Sequence, residues 1–350
     1  MAGRLFSRLG QTLLISWGII TLLFLLTRTL PDEQDLLARL SSSTAPLSAS
    51  AQQIQAAQEQ ARHRLGLDIP LFYLTKAAAS DAWLGPRWRW TGTRNQYHRW
   101  LSSLLQGDAG QSYRTGEPVG ELLRGSLYHT LPLTLLAAAL LVGLSLPLGI
   151  WLAASGRSLA LVTLFALDTL PLFVVALLLL LFLANPDMLA LFPAYGLGTD
   201  EPSFRSAPTT YLSYLILPVA SLVLTGITGP AVQLADALQS EIKKEYVLAA
   251  RAKGLSAAQA LRRHALRNAL LPSITLLTDL LPNLLAGSLV VELIFALPGF
   301  GRLLAEAAAA RDFPVLLAGA ALVVVVRQVS LWLAEALYLL ADPRLRNRPA

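Results

Sequence analysis

Residues 245–256 read Glu-Tyr-Val-Leu-Ala-Ala-Arg-Ala-Lys-Gly-Leu-Ser, and this polar, basic stretch lies between long apolar runs. A helix over residues 236–253 can end at Gly254, because glycine is the usual residue just past a helix C-terminus. Ser256 can cap a second helix, and Gln259 three residues further on completes a capping box. The stretch therefore predicts two helices joined by a slim bend.

The composition of the whole chain is typical of a membrane protein. The chain has 350 residues, of which 54% are hydrophobic and 14% charged, and its mean hydropathy is +0.53. This charged fraction is about half of that in a soluble globular protein. With no Cys and four scattered His residues, the sequence offers no disulfide and no pair with metal-ligand spacing. The net charge is +6. The location of the basic residues indicates the cytoplasmic face of a membrane and not a nucleic-acid partner.

Six apolar runs are long enough to cross a bilayer, for which about 20 residues are needed. They cover residues 9–27, 127–154, 159–184, 211–234, 270–296 and 313–340. If the N-terminus lies in the cytoplasm, most Lys and Arg residues of the short connecting segments lie on the cytoplasmic side as well. The positive-inside rule therefore places both termini in the cytoplasm. The sequence predicts an all-α integral membrane protein with six transmembrane helices, the first an uncleaved anchor.

The runs divide the chain into four parts. These are residues 1–30, the N-terminal tail and first transmembrane helix; 31–126, an extracytoplasmic segment; 127–341, a five-helix core with a cytoplasmic loop at 236–269; and 342–350, a cytoplasmic tail. Aromatic residues crowd the extracytoplasmic segment at Trp83, Trp88, Trp90, Tyr97 and Trp100. A small core or an interfacial belt is the simpler interpretation, and a contact surface for an external partner is the alternative.

The loop over residues 236–269, here the basic segment, has two interpretations. Its small residues at the bend (residues 249–255) could enter a groove on another protein, with Lys253, Arg262 and Arg263 as a charged rim. A basic loop that touches anionic lipid would look similar, because positive-inside statistics produce much of this pattern. Spacing alone does not choose between them.

Charged residues inside the apolar runs are the second functional clue. A charge at bilayer depth costs about 2.5–3.5 kcal/mol on insertion scales and usually faces a partner or a cavity. Asp168 and Arg327 should both lie near mid-depth. We expect them to pair between helices, with contact to substrate as the alternative, and Asp279 is a weaker candidate for a transport path.

Several motifs together resemble the permease subunits of ABC importers, in particular the dipeptide/oligopeptide/nickel subfamily. The run 245–256, continued through 264–272, resembles the coupling-loop motif. Further matching stretches are 64–71, 106–112, 114–119, Glu292, 297–302 and 340–346. Residues 72–96 look like extra sequence, and Asp168 stands before Thr169-Leu170-Pro171 where an apolar residue is typical.

The resemblance implies the type I ABC importer fold, in which the basic segment receives the movement of an ATPase. The residues that match the coupling motif or its rim are Glu245, Ala249, Ala250, Lys253, Gly254, Leu255, Arg262 and Arg263. The chain has no Gly-x-x-x-x-Gly-Lys-Ser/Thr loop, so it is expected to be no enzyme and to bind no cofactor. ATP and Mg would bind to two partner ATPase subunits, beside a second homologous permease and an extracytoplasmic solute-binding protein.

The implied function is a permease that forms half of a path for peptides or peptide-like solutes across a bacterial inner membrane. The alternative within the same family is a permease for nickel chelates, glycosides or opines. A secondary transporter or channel is the alternative from another class, although the runs show no obvious inverted repeat. A membrane scaffold would explain the bend poorly.

Overall fold

The computed structural model describes residues 2–29, 52, 56, 59, 68–76, 88–155, 158–193 and 208–341. Its helices are α1 (Ala2–Thr29), α2 (Gln96–Leu105), α3 (Val119–Ser155), α4 (Ser158–Asp168), α5 (Leu172–Leu179), α6 (Pro208–Gly226), α7 (Thr228–Ile242), α8 (Glu245–Ala252), α9 (Ala257–Ala260), α10 (Leu266–Ile294), α11 (Phe300–Ala310) and α12 (Phe313–Ala341). Leu180–Ala184 and Leu261–Ala265 are π-helical turns. Strands β1 (Leu74–Lys76) and β2 (Trp88–Trp90) pair antiparallel, with Leu74 opposite Trp90. The predicted tail at 342–350 and much of 31–126, including Trp83, lie outside the described residues.

Within the described ranges, α1, α3, α6 and α12 are long and apolar enough to cross a membrane. Two bent pairs of helical segments also pass this test together, Ser158–Asp168 with Leu172–Ala184 and Ala257–Ile274 with Asp279–Ile294. Length and composition therefore give four spans, or up to six if each bent pair is one span.

The third predicted run, residues 159–184, is not one straight helix. Its two halves, α4 and the segment Leu172–Ala184, meet at 96°. The cause is Pro171, which has no N–H for the helix ladder and disfavours helical backbone at the preceding residue. With eleven residues, α4 is only about 16 Å long, which is about half of the hydrocarbon thickness.

The described residues form two compact units. One comprises residues 1–5, 124–306 and 322–350, and the other residues 6–123 and 307–321, as far as these ranges are described. The main core of the first unit joins α3, α5, α6 and α10 through fully buried side chains such as Leu133, Tyr211 and Val291. Its second cluster joins α7, α8 and the start of α10, and this cluster supports the basic segment.

The core of the second unit is aromatic. Phe24 of α1 and Tyr97 of α2 are buried beside Leu317 of α12, and the Phe24 ring stacks on Trp100 with centroids 5.0 Å apart. The predicted aromatic core therefore includes Tyr97 and Trp100. Trp88 and Trp90 instead lie exposed on β2.

Candidate functional site

The basic segment contains a helix break that its sequence did not predict. A single helix over 236–253 was expected, but α7 ends at Ile242 and α8 begins at Glu245. Between them Lys244 has an extended backbone, with φ −74° and ψ 146°. Packing explains the break, because it turns Val247 back into the cluster that contains Leu238 of α7. Burial of this apolar side chain outweighs the preference of the sequence for a continuous helix.

The bend after α8 has the geometry of a Schellman motif. The N–H of Leu255 donates to the carbonyl of Ala250 at 3.4 Å, and the N–H of Gly254 donates to the carbonyl of Arg251 at 3.0 Å. Gly254 has φ +96°, a conformation in which a Cβ would be strained. These bonds satisfy carbonyls that a helix end leaves open, so the predicted stop at Gly254 is confirmed.

The helix that follows begins as the sequence predicted. The Ser256 hydroxyl accepts from the N–H of Gln259 at 3.3 Å, and the Gln259 side chain accepts from the N–H of Ser256 at 3.1 Å. This capping box satisfies the free N–H groups at the start of α9. Only Leu255 lies between Gly254, which ends α8, and Ser256, which caps α9. The Schellman motif and the capping box therefore satisfy backbone groups at both helix ends of the bend.

One side of α8 is buried and the other is exposed. Val247 and Ala250 are 1% and 8% exposed, and Val247 belongs to the cluster that contains Leu238, so this side of α8 packs against the protein. Leu248, 49% exposed, lies on the other side together with the exposed residues Glu245, Ala249, Arg251, Ala252, Lys253 and Gly254. The structure thus presents a small projection whose exposed side carries one large apolar side chain, Leu248, and two basic side chains, Arg251 and Lys253.

A polar cluster joins both sides of the helix break to α10. Lys244 Nζ and the Tyr246 hydroxyl each donate to the Glu241 carboxylate, and Asn268 Nδ2 donates to the Tyr246 hydroxyl at 2.8 Å. Burial alone would raise the pKa of Glu241, but these hydrogen bonds outweigh it and hold that pKa below its usual value. The same bond to Glu241 raises the pKa of Lys244. No local sequence pattern pointed to this cluster, since Asn268 lies 27 positions after Glu241.

Arg262 and Arg263 lie on the π-helical turn that leads into α10, and both are exposed. Their neighbours Ala260 and Ala265 are buried in the cluster that also contains Val247. The turn is therefore packed on the same support as the bend, and the structure brings the predicted basic rim and the bend into one subassembly.

Arg327 has a different partner from the expected one. Its guanidinium lies 3.6 Å from the carboxylate of Asp279 on α10, and the two side chains are 58% and 54% exposed. Asp168 is an exposed residue at the end of α4, directly before the 96° break. The expected pairing of Asp168 with Arg327 was therefore wrong in this structure, and Asp279 takes the place of Asp168.

A buried carboxylate fixes the turn at residues 297–302. Glu292 is 0% exposed; its Oε1 accepts from the Thr130 hydroxyl at 2.6 Å and its Oε2 from the N–H of Arg302 at 3.0 Å. Thr130 also accepts from the N–H of Phe300 at 2.7 Å. A Cβ at Gly299 would lie 2.2 Å from the Glu292 carboxyl carbon, so only glycine fits there. From the sequence alone, residues 297–302 could have been an ordinary tight turn. No local pattern pointed to Thr130 as a partner of this turn.

A second buried carboxylate, Asp312, holds a polar loop. It is 2% exposed and accepts from the Ser112 hydroxyl and from the N–H groups of Tyr113 and Arg114, the latter two at 3.0 and 3.3 Å. These partners lie about 200 positions away in the chain, so spacing could not reveal them. Among the residues that the structure describes, no cluster of three or more His, Asp or Glu side chains could hold a metal ion.

Comparison with known proteins gives consistent similarities. The family described as "Binding-protein-dependent transport system inner membrane component" matches residues 145–347. The oligopeptide transport system permease protein AppB of Bacillus subtilis is 34% identical over 255 residues, which cover 71% of this chain and 79% of that protein. The dipeptide transport system permease protein DppB of Lactococcus lactis subsp. cremoris is 29% identical over 353 residues, covering 99% of this chain and 100% of that protein.

Proposed function

This chain belongs to the family of binding-protein-dependent transport system inner membrane components, as a peptide permease of the ABC importer kind, and on that premise we propose that it forms half of an ATP-driven path for peptides. The relatives are named as oligopeptide and dipeptide permeases. A multi-pass membrane subunit of this kind is not an enzyme. The energy for transport comes from two partner subunits that bind ATP and Mg.

The remaining partners and the topology belong to the same proposal. A second homologous permease completes the path, and an extracytoplasmic solute-binding protein delivers the peptide. Six spans cross a bacterial inner membrane, with both termini in the cytoplasm and residues 31–126 on the outer side. The distribution of Lys and Arg supports this orientation. Six spans require that each bent pair of helices counts as one.

The observation that carries the proposal is the anchored, exposed bend. A Schellman motif and a capping box leave little freedom at residues 249–255, and Val247 ties α8 to α7. A force applied to the exposed side of α8 would therefore move α7 and the start of α10 as one body. Type I switching between inward-open and outward-open states needs such rigid transmission.

The charged residues of the apolar helices support a path on the surface of this chain. More than half of each side chain of the Asp279–Arg327 pair is exposed, and charges facing hydrocarbon are costly. We assign this surface to the water-filled path, where the pair can meet the charged ends of a peptide. Asp168, at the break after α4, is a further candidate.

A reconstituted uptake assay tests the function. Proteoliposomes that contain all subunits should accumulate a labelled dipeptide with ATP and not without it. Leu248→Asp places a charge on the exposed face of α8 and should abolish both uptake and copurification of the ATPase subunits. The matched control is Leu105→Asp, at a leucine that is 80% exposed at the end of α2. If the two variants behave alike, the bend is not the contact.

A double-mutant cycle tests the path. Asp279→Asn and Arg327→Gln should each reduce uptake, and the double variant should lose less than the sum of the two free-energy changes, because the pair acts as a unit. Strictly additive effects would contradict a functional pair at this position.

A further inference from the structure

An apolar cavity lies beneath the basic segment, between α3, α7, α10 and α12. It has a volume of about 450 Å³, and three of its thirteen lining residues are polar: Ser145, Ser273 and Arg267. Leucines form most of the wall, among them Leu141, Leu276 and Leu280. A cavity of this size has room for several water molecules, yet so few polar partners would hold water poorly.

The polarity of the cavity changes along its length. Arg267 belongs to the basic segment and lines one end of the cavity, and Leu280 lies thirteen residues further along α10. These thirteen residues correspond to about 20 Å along the helix axis. The straight-line distance is shorter because the helix bends by 54° between Ile274 and Asp279, and it is similar to the thickness of one hydrocarbon leaflet, about 15 Å. The basic segment must lie outside the hydrocarbon, so the charged end of the cavity faces the headgroup region of the nearer leaflet.

The geometry points to a binding site for one anionic phospholipid from that leaflet. Its phosphate would meet the Arg267 guanidinium, which donates well to phosphate oxygens, and one acyl chain would fill the leucine-lined part. Basic pockets between transmembrane helices hold anionic headgroups in this way. The occupant of this site does not depend on the proposed function.

A transported peptide fits this cavity less well. Every peptide group that enters an apolar site without a hydrogen-bond partner carries a desolvation cost, and beyond Arg267 the wall offers two serine hydroxyls. A hydrocarbon chain carries no such cost. An acyl chain also replaces packing contacts that an empty apolar cavity lacks.

An occupant of the cavity would contact the support of the bend. Leu234 lines the cavity and is 1% exposed, and it belongs to the same cluster as Val247 and Ala269. Leu270 also lines the cavity and packs on that cluster. The lipid would therefore stabilise the base of α8.

Native mass spectrometry of the full chain tests the site directly. The protein is transferred into nanodiscs of phosphatidylcholine with or without phosphatidylglycerol, and the retained lipids are counted. The wild-type chain should retain one phosphatidylglycerol. Arg267→Gln should weaken its retention about fivefold, the effect of one arginine near a lipid surface, and Arg267→Lys should restore most of it. Arg251→Gln, at an exposed arginine outside the cavity, is the matched control.

A second variant separates the acyl chain from the charge. Leu276→Trp projects a larger ring into the cavity and should reduce retention, whereas Leu293→Trp, at an exposed leucine of the same helix that does not line the cavity, should not. Equal losses for Arg267→Gln and Arg251→Gln would overturn the site. So would photocrosslinks from position 276 that reach a labelled peptide or a second permease chain in place of phospholipid.

Discussion

Replacing Glu292 with methionine removes the two acceptors that hold the turn at residues 297–302. Methionine keeps the length of the side chain but accepts no strong hydrogen bond. The N–H of Arg302, now 3.0 Å from Oε2, cannot rotate to another partner. The Thr130 hydroxyl, now 2.6 Å from Oε1, can turn to a carbonyl of its own helix. The free-energy cost of Glu292→Met therefore comes mainly from the Arg302 amide.

The magnitude follows from the burial of this site. Glu292 is 0% exposed, and a buried donor left without an acceptor costs about 1–3 kcal/mol. The matched control is Glu306→Met. Glu306 pairs with the Arg302 side chain at 2.9 Å, but both side chains are more than one-third exposed, and such an exposed pair contributes about 0.3–0.5 kcal/mol.

Hydrogen exchange of the chain in detergent measures the difference. A cost of about 1–3 kcal/mol corresponds to exchange that is about fivefold to a hundredfold faster at the amides of Phe300 and Arg302. Glu306→Met should change these rates by less than about threefold. If both variants accelerate exchange equally, the Glu292 hydrogen bonds do not hold the turn and the reasoning is refuted.

Three further predictions concern the bend, the polar loop and pH. Gly254→Ala places a Cβ at φ +96°, costs about 1–2 kcal/mol and should lower the unfolding midpoint, whereas Gly229→Ala, at a helical glycine with open space around it, should not. Asp312→Asn should speed amide exchange at Tyr113 and Arg114, which donate to that carboxylate; unchanged rates would show that the loop is held by other bonds. Because the pKa of Glu241 is held below its usual value, its contribution to stability is present above the pKa of the unfolded chain and is lost as the pH falls through the lower, folded-state pKa. Glu241→Gln should therefore flatten the acid side of a thermal-unfolding profile, and a slope identical to that of the wild-type chain would contradict the cluster.

Local signals in the sequence predicted the ends of the helices at the bend. Gly254, Ser256 and Gln259 satisfy their hydrogen bonds within five residues of one another, so propensity and spacing are sufficient there. The break at Lys244 could not be predicted in this way. It follows from burial of Val247 against α7, a tertiary contact that no local pattern records.

The partners of charged residues were the least predictable part of the site. The sequence placed Asp168, Asp279 and Arg327 within apolar runs, but depth alone did not decide which acid meets Arg327. The 96° break at Pro171 directs the chain away from a straight third span, and Asp279 meets Arg327 instead. For Glu292 and Asp312 the partners lie 162 and 200 positions away, and only the folded chain brings them together.

Crosslinking from the bend tests the central claim most directly. The chain has no Cys, so Ala249→Cys supplies a single reactive thiol on the exposed side of α8, and Gln111→Cys supplies a control on the exposed part of the polar loop. In membranes with all subunits present, a short bifunctional reagent should join position 249 to an ATP-hydrolysing subunit, and position 111 should give no such product. Absence of that product from position 249, together with peptide uptake that continues without ATP, would contradict the account.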